Sequence, residues 1–184
     1  MEITFKKTGP RTYETLVSRD DGVALRVPSP DRPAGLPHDI AHYLVERELG
    51  LERGFWGCVA AGAVFDNMEV VSGRRPPHAA ERSKAVIRAA TTQLATSELY
   101  ALVLLGVAHE RKEADWPRVV ARLDEVWRPF REPRRPVSAE EAVRVCAALR
   151  ETEGRWLALP VGHGLTVSWE GRRGKARRRG ARAF

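Results

Sequence analysis

Apolar and polar side chains alternate near both ends of the chain, which is the pattern of half-buried β-strands. The N-terminal third contains three such segments, residues 3–5, 13–17 and 23–27. The acidic residues and glycine at 20–22 predict a turn between the last two. Near the C-terminus, residues 156–159 and 165–169 flank a glycine-rich turn and predict a hairpin. We expect all these strands to form one antiparallel sheet.

The middle of the chain has the 3.6-residue periodicity of amphipathic helices. It predicts five of them, one beginning at Pro37 and four over residues 79–94, 97–109, 116–127 and 138–149. Ser138 and Glu141 match a capping box at the start of the last helix. The proline-rich residues 128–136 predict a stiff connector rather than a domain boundary. The expected fold is therefore α+β, a single domain over 1–170 in which the sheet packs against about five helices.

The first predicted helix carries two histidines, His38 and His42, four residues apart. At about 100° per residue they project in similar directions, at the border between the buried stripe and the acidic side of the helix. Two imidazoles one turn apart can bind one ion, so we predict a divalent-metal site, with zinc as the first choice. Asp39 is a further candidate ligand, or the catalytic base for a metal-bound water.

Glu46 and His109 are expected to act around the metal. A rise of about 1.5 Å per residue separates Glu46 from His38 by about 12 Å along the helix, which is too far to share one ion at Zn–N distances of about 2.0–2.1 Å. We therefore expect Glu46 to orient His42 through a hydrogen bond. His109 ends a leucine-rich helix, where capping is its expected role, and it is also the best candidate ligand from outside the first helix.

The arrangement of His38, Asp39 and His42 resembles known zinc motifs. In the H-E-x-x-H motif of metalloproteases a glutamate acts as general base, and Asp39 has one methylene less reach. The closer resemblance is to the H-D-x-x-H zinc motif of a coenzyme Q biosynthesis family of helical, lipid-associated proteins, in which the aspartate lies near the metal. In that family a glutamate follows the second histidine by about a dozen residues, whereas here that position is Gly54, with Glu52 nearby.

The same residues also suit an ordinary helix start. Pro37 fits the first turn, and the negative charge of Asp39 is favourable at the positive end of the helix dipole. A protonated His42 could pair with Glu46 one turn later. A structural role for the histidines therefore remains open beside the metal site.

The formal net charge of +7 is concentrated in residues 171–184. This segment has no acidic residue and seven cations, Arg172, Arg173, Lys175, Arg177, Arg178, Arg179 and Arg182. Without them the chain has 24 basic and 24 acidic side chains. The segment has little to bury, so we expect a disordered tail that either contacts nucleic acid without sequence preference or an acidic partner, or simply aids solubility.

Length and composition favour one soluble domain, since 43% of the 184 residues are hydrophobic. No apolar run approaches the roughly 18 residues of a membrane span, and the first residues lack a signal pattern. Cys58 and Cys146 stand apart in apolar surroundings, as expected for thiols in a reducing compartment. We expect a cytoplasmic protein.

Two functions are compatible with these patterns. The first is a metal-dependent hydrolase or lyase that acts on a small molecule of unknown identity at the His38–His42 site. The second is a non-enzymatic binding protein in which the histidines are structural and the basic tail contacts nucleic acid or an acidic partner. The sequence contains no pattern that indicates an oligomeric state.

Overall fold

The computed structural model describes residues 1–29, 35–110, 114–128 and 136–170. The strands in these residues are β1 (Glu2–Lys7), β2 (Tyr13–Ser18), β3 (Ala24–Pro28), β4 (Glu69–Ser72) and β5 (Gly164–Ser168). The helices are α1 (His38–Leu49), α2 (Phe55–Ala60), α3 (Ala79–Ala89), α4 (Thr91–His109), α5 (Trp116–Trp127) and α6 (Ala139–Ala158). The predicted α+β class is confirmed. No helix within the described residues is both long and apolar enough to cross a bilayer.

The sheet is antiparallel throughout, with the strand order β4-β3-β2-β1-β5. The register pairs Ile3 with Val17 on one side and with Val167 on the other. One face is buried because the apolar residues of β1, β2 and β3 alternate as the sequence predicts. The opposite face is mostly polar, and Arg26 bridges Glu14 and Glu69 across neighbouring strands at 2.9 Å from each.

Helix α1 lies on the buried face of the sheet and packs against α4 and α6. The ring of Phe5 in β1 contacts Tyr43 of α1 and Trp56 of α2 edge to face, with centroids 6.3 and 5.8 Å apart. The Tyr43 hydroxyl donates to the carbonyl of Ser168 at 3.0 Å, which ties α1 to β5. Helix α1 is therefore held between the sheet and the helices α4 and α6.

The predicted C-terminal hairpin is wrong in its first strand. Residues 156–158 form the last turn of α6, and only β5 joins the sheet, next to β1. Lys7 stabilises the end of the longer helix, because its Nζ donates to the carbonyls of Trp156, Leu157 and Leu159 at 3.4, 3.4 and 3.0 Å. A cation at the C-terminal end of a helix stabilises that end.

One other boundary and two short elements differ from the sequence expectation. The predicted helix over 79–94 divides at Ala90, and α4 begins at Thr91 rather than at residue 97. The short helix α2 was not predicted, because its start depends on a side chain from α1 described below. The exposed edge strand β4 was also missed, since none of its four residues is buried and no alternation marks it. Most of the predicted connector, residues 129–135, lies outside the described residues.

The predicted capping box of α6 is present. Ser138 Oγ accepts from the Glu141 amide at 3.1 Å, and the Glu141 carboxylate accepts from the Ser138 amide at 3.0 Å. We expect Ser138→Ala to lower the free energy of unfolding by about 1 kcal/mol, because one amide of the first turn loses its acceptor. Urea unfolding measures the change, and Ser138→Asp, which keeps an acceptor, is the matched control. Equal stability of the alanine variant and the wild type would contradict the assignment.

Candidate metal centre

The candidate site begins at the first residue of α1. Pro37 precedes the helix with φ −54° and ψ 138°, so the chain turns into α1 directly before His38. His38 and His42 then lie one turn apart, with ring centroids separated by 4.6 Å and planes inclined at 77°. The two rings therefore meet on the same side of the helix.

A third ligand candidate comes from α4. Glu98 Oε2 lies 3.0 Å from His42 Nε2, and Glu98 Oε1 lies 3.4 Å from His38 Nε2. Among the described residues, these three form a group whose potential ligand atoms all lie within 4.8 Å of one another. The His42 side chain is only 8% exposed, whereas Glu98 is 61% exposed, so the group is open to solvent on one side.

Glu98 was not predicted from the sequence as a site residue. It is separated from His42 by 56 positions, and only the packing of α1 on α4 brings the two together. In the sequence, the Ser97-Glu98 pair indicates only the start of the helix predicted over 97–109.

The other ring nitrogen of His42 is held by a buried chain of hydrogen bonds. The Ser97 hydroxyl donates to Glu46 Oε1 at 2.6 Å, so its oxygen is left to accept from His42 Nδ1 at 2.8 Å. Nδ1 therefore carries a proton, and Nε2 is the nitrogen that faces His38 and Glu98. Glu46 Oε1 also lies 3.5 Å from His42 Nδ1. The structure thus brings Glu46 and His42 together.

Glu46 also forms the start of α2. Its side chain is fully buried, and its two oxygens accept from the amides of Phe55 and Trp56 at 2.7 and 2.9 Å. A carboxylate at a helix N-terminus satisfies free amides and interacts favourably with the helix dipole. A Cβ at Gly54 would overlap the Glu46 carboxyl, which explains why a glycine precedes α2.

Electrostatics favours a charged His42. Burial of the ring disfavours the charged form, but the hydrogen bonds and negative charges of Glu46 and Glu98 outweigh it and raise the pKa of His42 to about 9. In the absence of a metal, His42 is therefore an imidazolium at neutral pH. A metal ion and this proton would compete for the same Nε2 lone pair.

Two predicted site residues lie elsewhere. Asp39 Oδ2 accepts from the Thr15 hydroxyl at 2.9 Å, so its carboxylate is directed to β2 and is not part of the three-residue group. One residue rotates the side chain by about 100° around the helix, which turns Asp39 away from the histidines. His109 Nε2 lies 2.9 Å from Glu153 Oε1, three turns along α4 from Glu98. Neither position supports the role of metal ligand that the sequence suggested.

The residues proposed for nucleic-acid contact, Arg172, Arg173, Lys175, Arg177, Arg178, Arg179 and Arg182, lie outside the described residues. That prediction therefore remains a prediction. Comparison with family models, with curated protein sequences and with solved structures gave no match to this chain. The functional argument rests on the geometry of the site.

Proposed function

We propose that the protein binds a divalent transition-metal ion, zinc in the first instance, through His38, His42 and Glu98. The observation that supports this most directly is the convergence of two imidazoles and a carboxylate from two helices, with their ligand atoms within 4.8 Å of one another. Two histidines and one glutamate are a donor set found in catalytic zinc sites, which keep a fourth position open.

The distances within the group suit zinc. In a tetrahedral site with bonds of about 2.0–2.1 Å, neighbouring ligand atoms are about 3.3–3.4 Å apart. Glu98 Oε2 lies 3.0 Å from His42 Nε2 and Glu98 Oε1 lies 3.4 Å from His38 Nε2, so each imidazole already has one carboxylate oxygen at about this separation. Rotations of the exposed Glu98 side chain and of His38 would bring both ring nitrogens to one carboxylate oxygen.

The residues behind His42 suit the same role. A metal-binding histidine usually donates its other N–H to a fixed acceptor, which sets the tautomer and raises the basicity of the ligand nitrogen. Ser97 and Glu46 provide that acceptor, and both are fully buried. This is the orienting role that the sequence suggested for Glu46.

We further propose that the activity is hydrolytic or of the lyase type. An ion in such a site lowers the pKa of bound water and polarises oxygen atoms of a substrate. The exposed side of the group, at Glu98, leaves room for water or substrate. Asp39 is not part of this proposal, because its carboxylate is engaged by Thr15.

The test is the zinc affinity of metal-free protein, measured by calorimetry at neutral pH. We expect Glu98→Gln to weaken binding about a hundredfold, because an anionic ligand becomes a neutral amide of the same shape. The matched control is Asp39→Asn, which keeps an acceptor for Thr15 and should change the affinity by less than about threefold. Binding should also release about one proton, because zinc displaces the proton on His42 Nε2.

A structural role for the histidines is the alternative, because both ring nitrogens of His42 have protein partners. In that case the group is a salt bridge that ties α1 to α4, and zinc would bind the wild type and Glu98→Gln equally weakly. Elemental analysis of freshly purified protein provides a second measurement. Equal, sub-stoichiometric metal in the wild type and in Glu98→Gln would reject the metal proposal.

A further inference from the structure

Strand β5 is one of the two edge strands of the sheet. Its ladder with β1 is bounded by two hydrogen bonds of 2.8 Å, from the Trp169 amide to the Met1 carbonyl and from the Lys7 amide to the His163 carbonyl. Hydrogen-bonded positions alternate along an antiparallel strand, so the odd-numbered residues of β5 face β1. The backbone groups that point away from the sheet are therefore those of the even-numbered residues, Gly164, Thr166 and Ser168.

These outward backbone groups are almost unused. Within the residues that the structure describes, one of them has a protein partner, the Ser168 carbonyl, which accepts from the Tyr43 hydroxyl at 3.0 Å. That carbonyl keeps a second lone pair. Thr166 is exposed, and its contact with Thr4 is made by the side chain rather than by the backbone. The outer edge of β5 can therefore pair with another strand.

The two edges of the sheet differ in how they are protected. Edge strands commonly carry a charge, a proline or a bulge that prevents further pairing. Strand β4 has two of these features, the charge of Glu69 and a register shift opposite Ala24 and Leu25. Strand β5 reads Gly-Leu-Thr-Val-Ser and has no charge, no proline and no register shift against β1. The edge that accepts a further strand is therefore β5.

The sequence of β5 is complementary to itself. A two-fold axis at Thr166 would place this residue opposite its own counterpart in an antiparallel pair of β5 strands. Gly164 would then face Ser168 of the other copy, and the outward backbone groups would exchange about six hydrogen bonds. Leu165 would face Val167 on the apolar side of the sheet, where both are half-buried in the single chain. Such cross-strand apolar pairs stabilise a sheet.

Helix α6 carries matching charges beside the same edge. A groove of about 140 Å³ separates the helix from β5, and its lining includes Thr166 of the strand and Glu151 and Arg155 of the helix. Both charged side chains are exposed, and neither has a partner among the described residues. A two-fold axis reverses the direction of the second α6, so Glu151 of one copy would lie opposite Arg155 of the other. The symmetry would form this charge pair twice.

We propose that the protein forms a two-fold symmetric dimer in which β5 of each copy pairs with β5 of the other, so that the two sheets become one. The occupant of the edge is a second copy because both the strand and the charges of α6 match themselves after a two-fold rotation. The dimer does not depend on the proposed metal site, since none of the pairing residues belongs to the group of His38, His42 and Glu98.

Sedimentation velocity of the full chain over a range of micromolar concentrations tests the proposal. We expect a monomer–dimer equilibrium that Thr166→Pro weakens by at least about tenfold, because proline removes an outward amide at the axis and leaves the pairing with β1 intact. Thr166→Ser is the matched control. It keeps the amide and should change the dissociation constant by less than about twofold. Circular dichroism verifies that the proline variant is folded.

Charge reversal on α6 gives a second test that does not alter the strand. Glu151→Arg and Arg155→Glu should each weaken the dimer by about five- to tenfold, because each creates two like-charged pairs across the axis. The double reversal should restore the affinity, since it exchanges the two charges. Arg144→Glu is the matched control, because Arg144 is an exposed cation on the same helix outside the groove. It should leave the dissociation constant unchanged.

A chain that stays monomeric at every concentration would overturn the proposal. A dimer that folded Thr166→Pro does not weaken, or a double reversal as weak as the single ones, would also overturn it. If the full chain is monomeric and a chain without residues 171–184 dimerises, the tail covers this edge and the second copy is the wrong occupant.

Discussion

Replacing Glu46 by alanine is expected to lower the free energy of unfolding by about 3–5 kcal/mol. The Glu46 side chain is fully buried and accepts from the Phe55 amide, the Trp56 amide and the Ser97 hydroxyl. Alanine would leave these donors without an acceptor and would leave the charge of His42 with one carboxylate instead of two. Chemical denaturation followed by tryptophan fluorescence measures the loss.

The matched control for Glu46→Ala is Glu48→Ala, two residues later on the same helix. Glu48 is partly exposed and pairs with the neighbouring Arg47, so its removal should lower the stability by less than about 1 kcal/mol. Glu46→Gln should fall between the two, because the amide keeps one acceptor oxygen. Similar losses for Glu46→Ala and Glu48→Ala would show that the buried carboxylate has no special structural role.

The large expected effect follows from the number of elements that meet at Glu46. The residue belongs to α1, caps α2 through two amides, and reaches α4 through Ser97. Loss of this carboxylate would loosen all three helices where they surround His42. Stability and the orientation of His42 therefore depend on the same side chain, which makes the comparison of Glu46→Gln with Glu46→Ala informative for both.

The sheet could be predicted largely from the sequence because its strands bury one face. Ile3, Phe5, Val17, Leu25 and Val27 alternate with more exposed residues and are all buried. The edge strand β4 buries nothing, so no periodicity marks it. The last turn of α6 was misassigned, and one contact that stabilises it comes from Lys7, which is about 150 residues away in sequence. Local patterns do not contain such long-range contacts.

The candidate site could likewise be predicted only in part from the sequence. The proximity of His38 and His42 follows from helix geometry alone, and so does the reach of Glu46 to the second histidine. Glu98 could not be assigned, because its place beside His42 depends on how α1 packs on α4. Asp39 was assigned by motif, yet the rotation of one helical position turns it to Thr15. A helix motif predicts which side chains share a face, but the neighbouring helix decides which face is the site.

Stability of the metal-free protein is expected to fall by about 3 kcal/mol between about pH 6 and pH 9 through His42. Its pKa rises from 6.5 to about 9 on folding, because Glu46 and Glu98 favour the charged ring more than burial disfavours it. A raised pKa means that the folded state holds the proton more tightly. The contribution is therefore complete below the unfolded value of 6.5 and is lost as the pH rises through about 9.

Urea unfolding in the presence of a chelator, repeated across this pH range, measures the loss, and His42→Gln is the matched control. The variant lacks the titrating ring, so its stability should change much less between the two limits. The comparison with the variant also removes the contribution of Cys58 and Cys146. Burial raises the pKa of each thiol from 9.0 to about 11, so ionisation of the thiols at high pH favours the unfolded state. Their effect is common to the wild type and the variant. Parallel pH profiles for the two proteins would mean that His42 does not hold a proton between Glu46 and Glu98. The proposal that this proton competes with a metal ion for Nε2 would then be wrong.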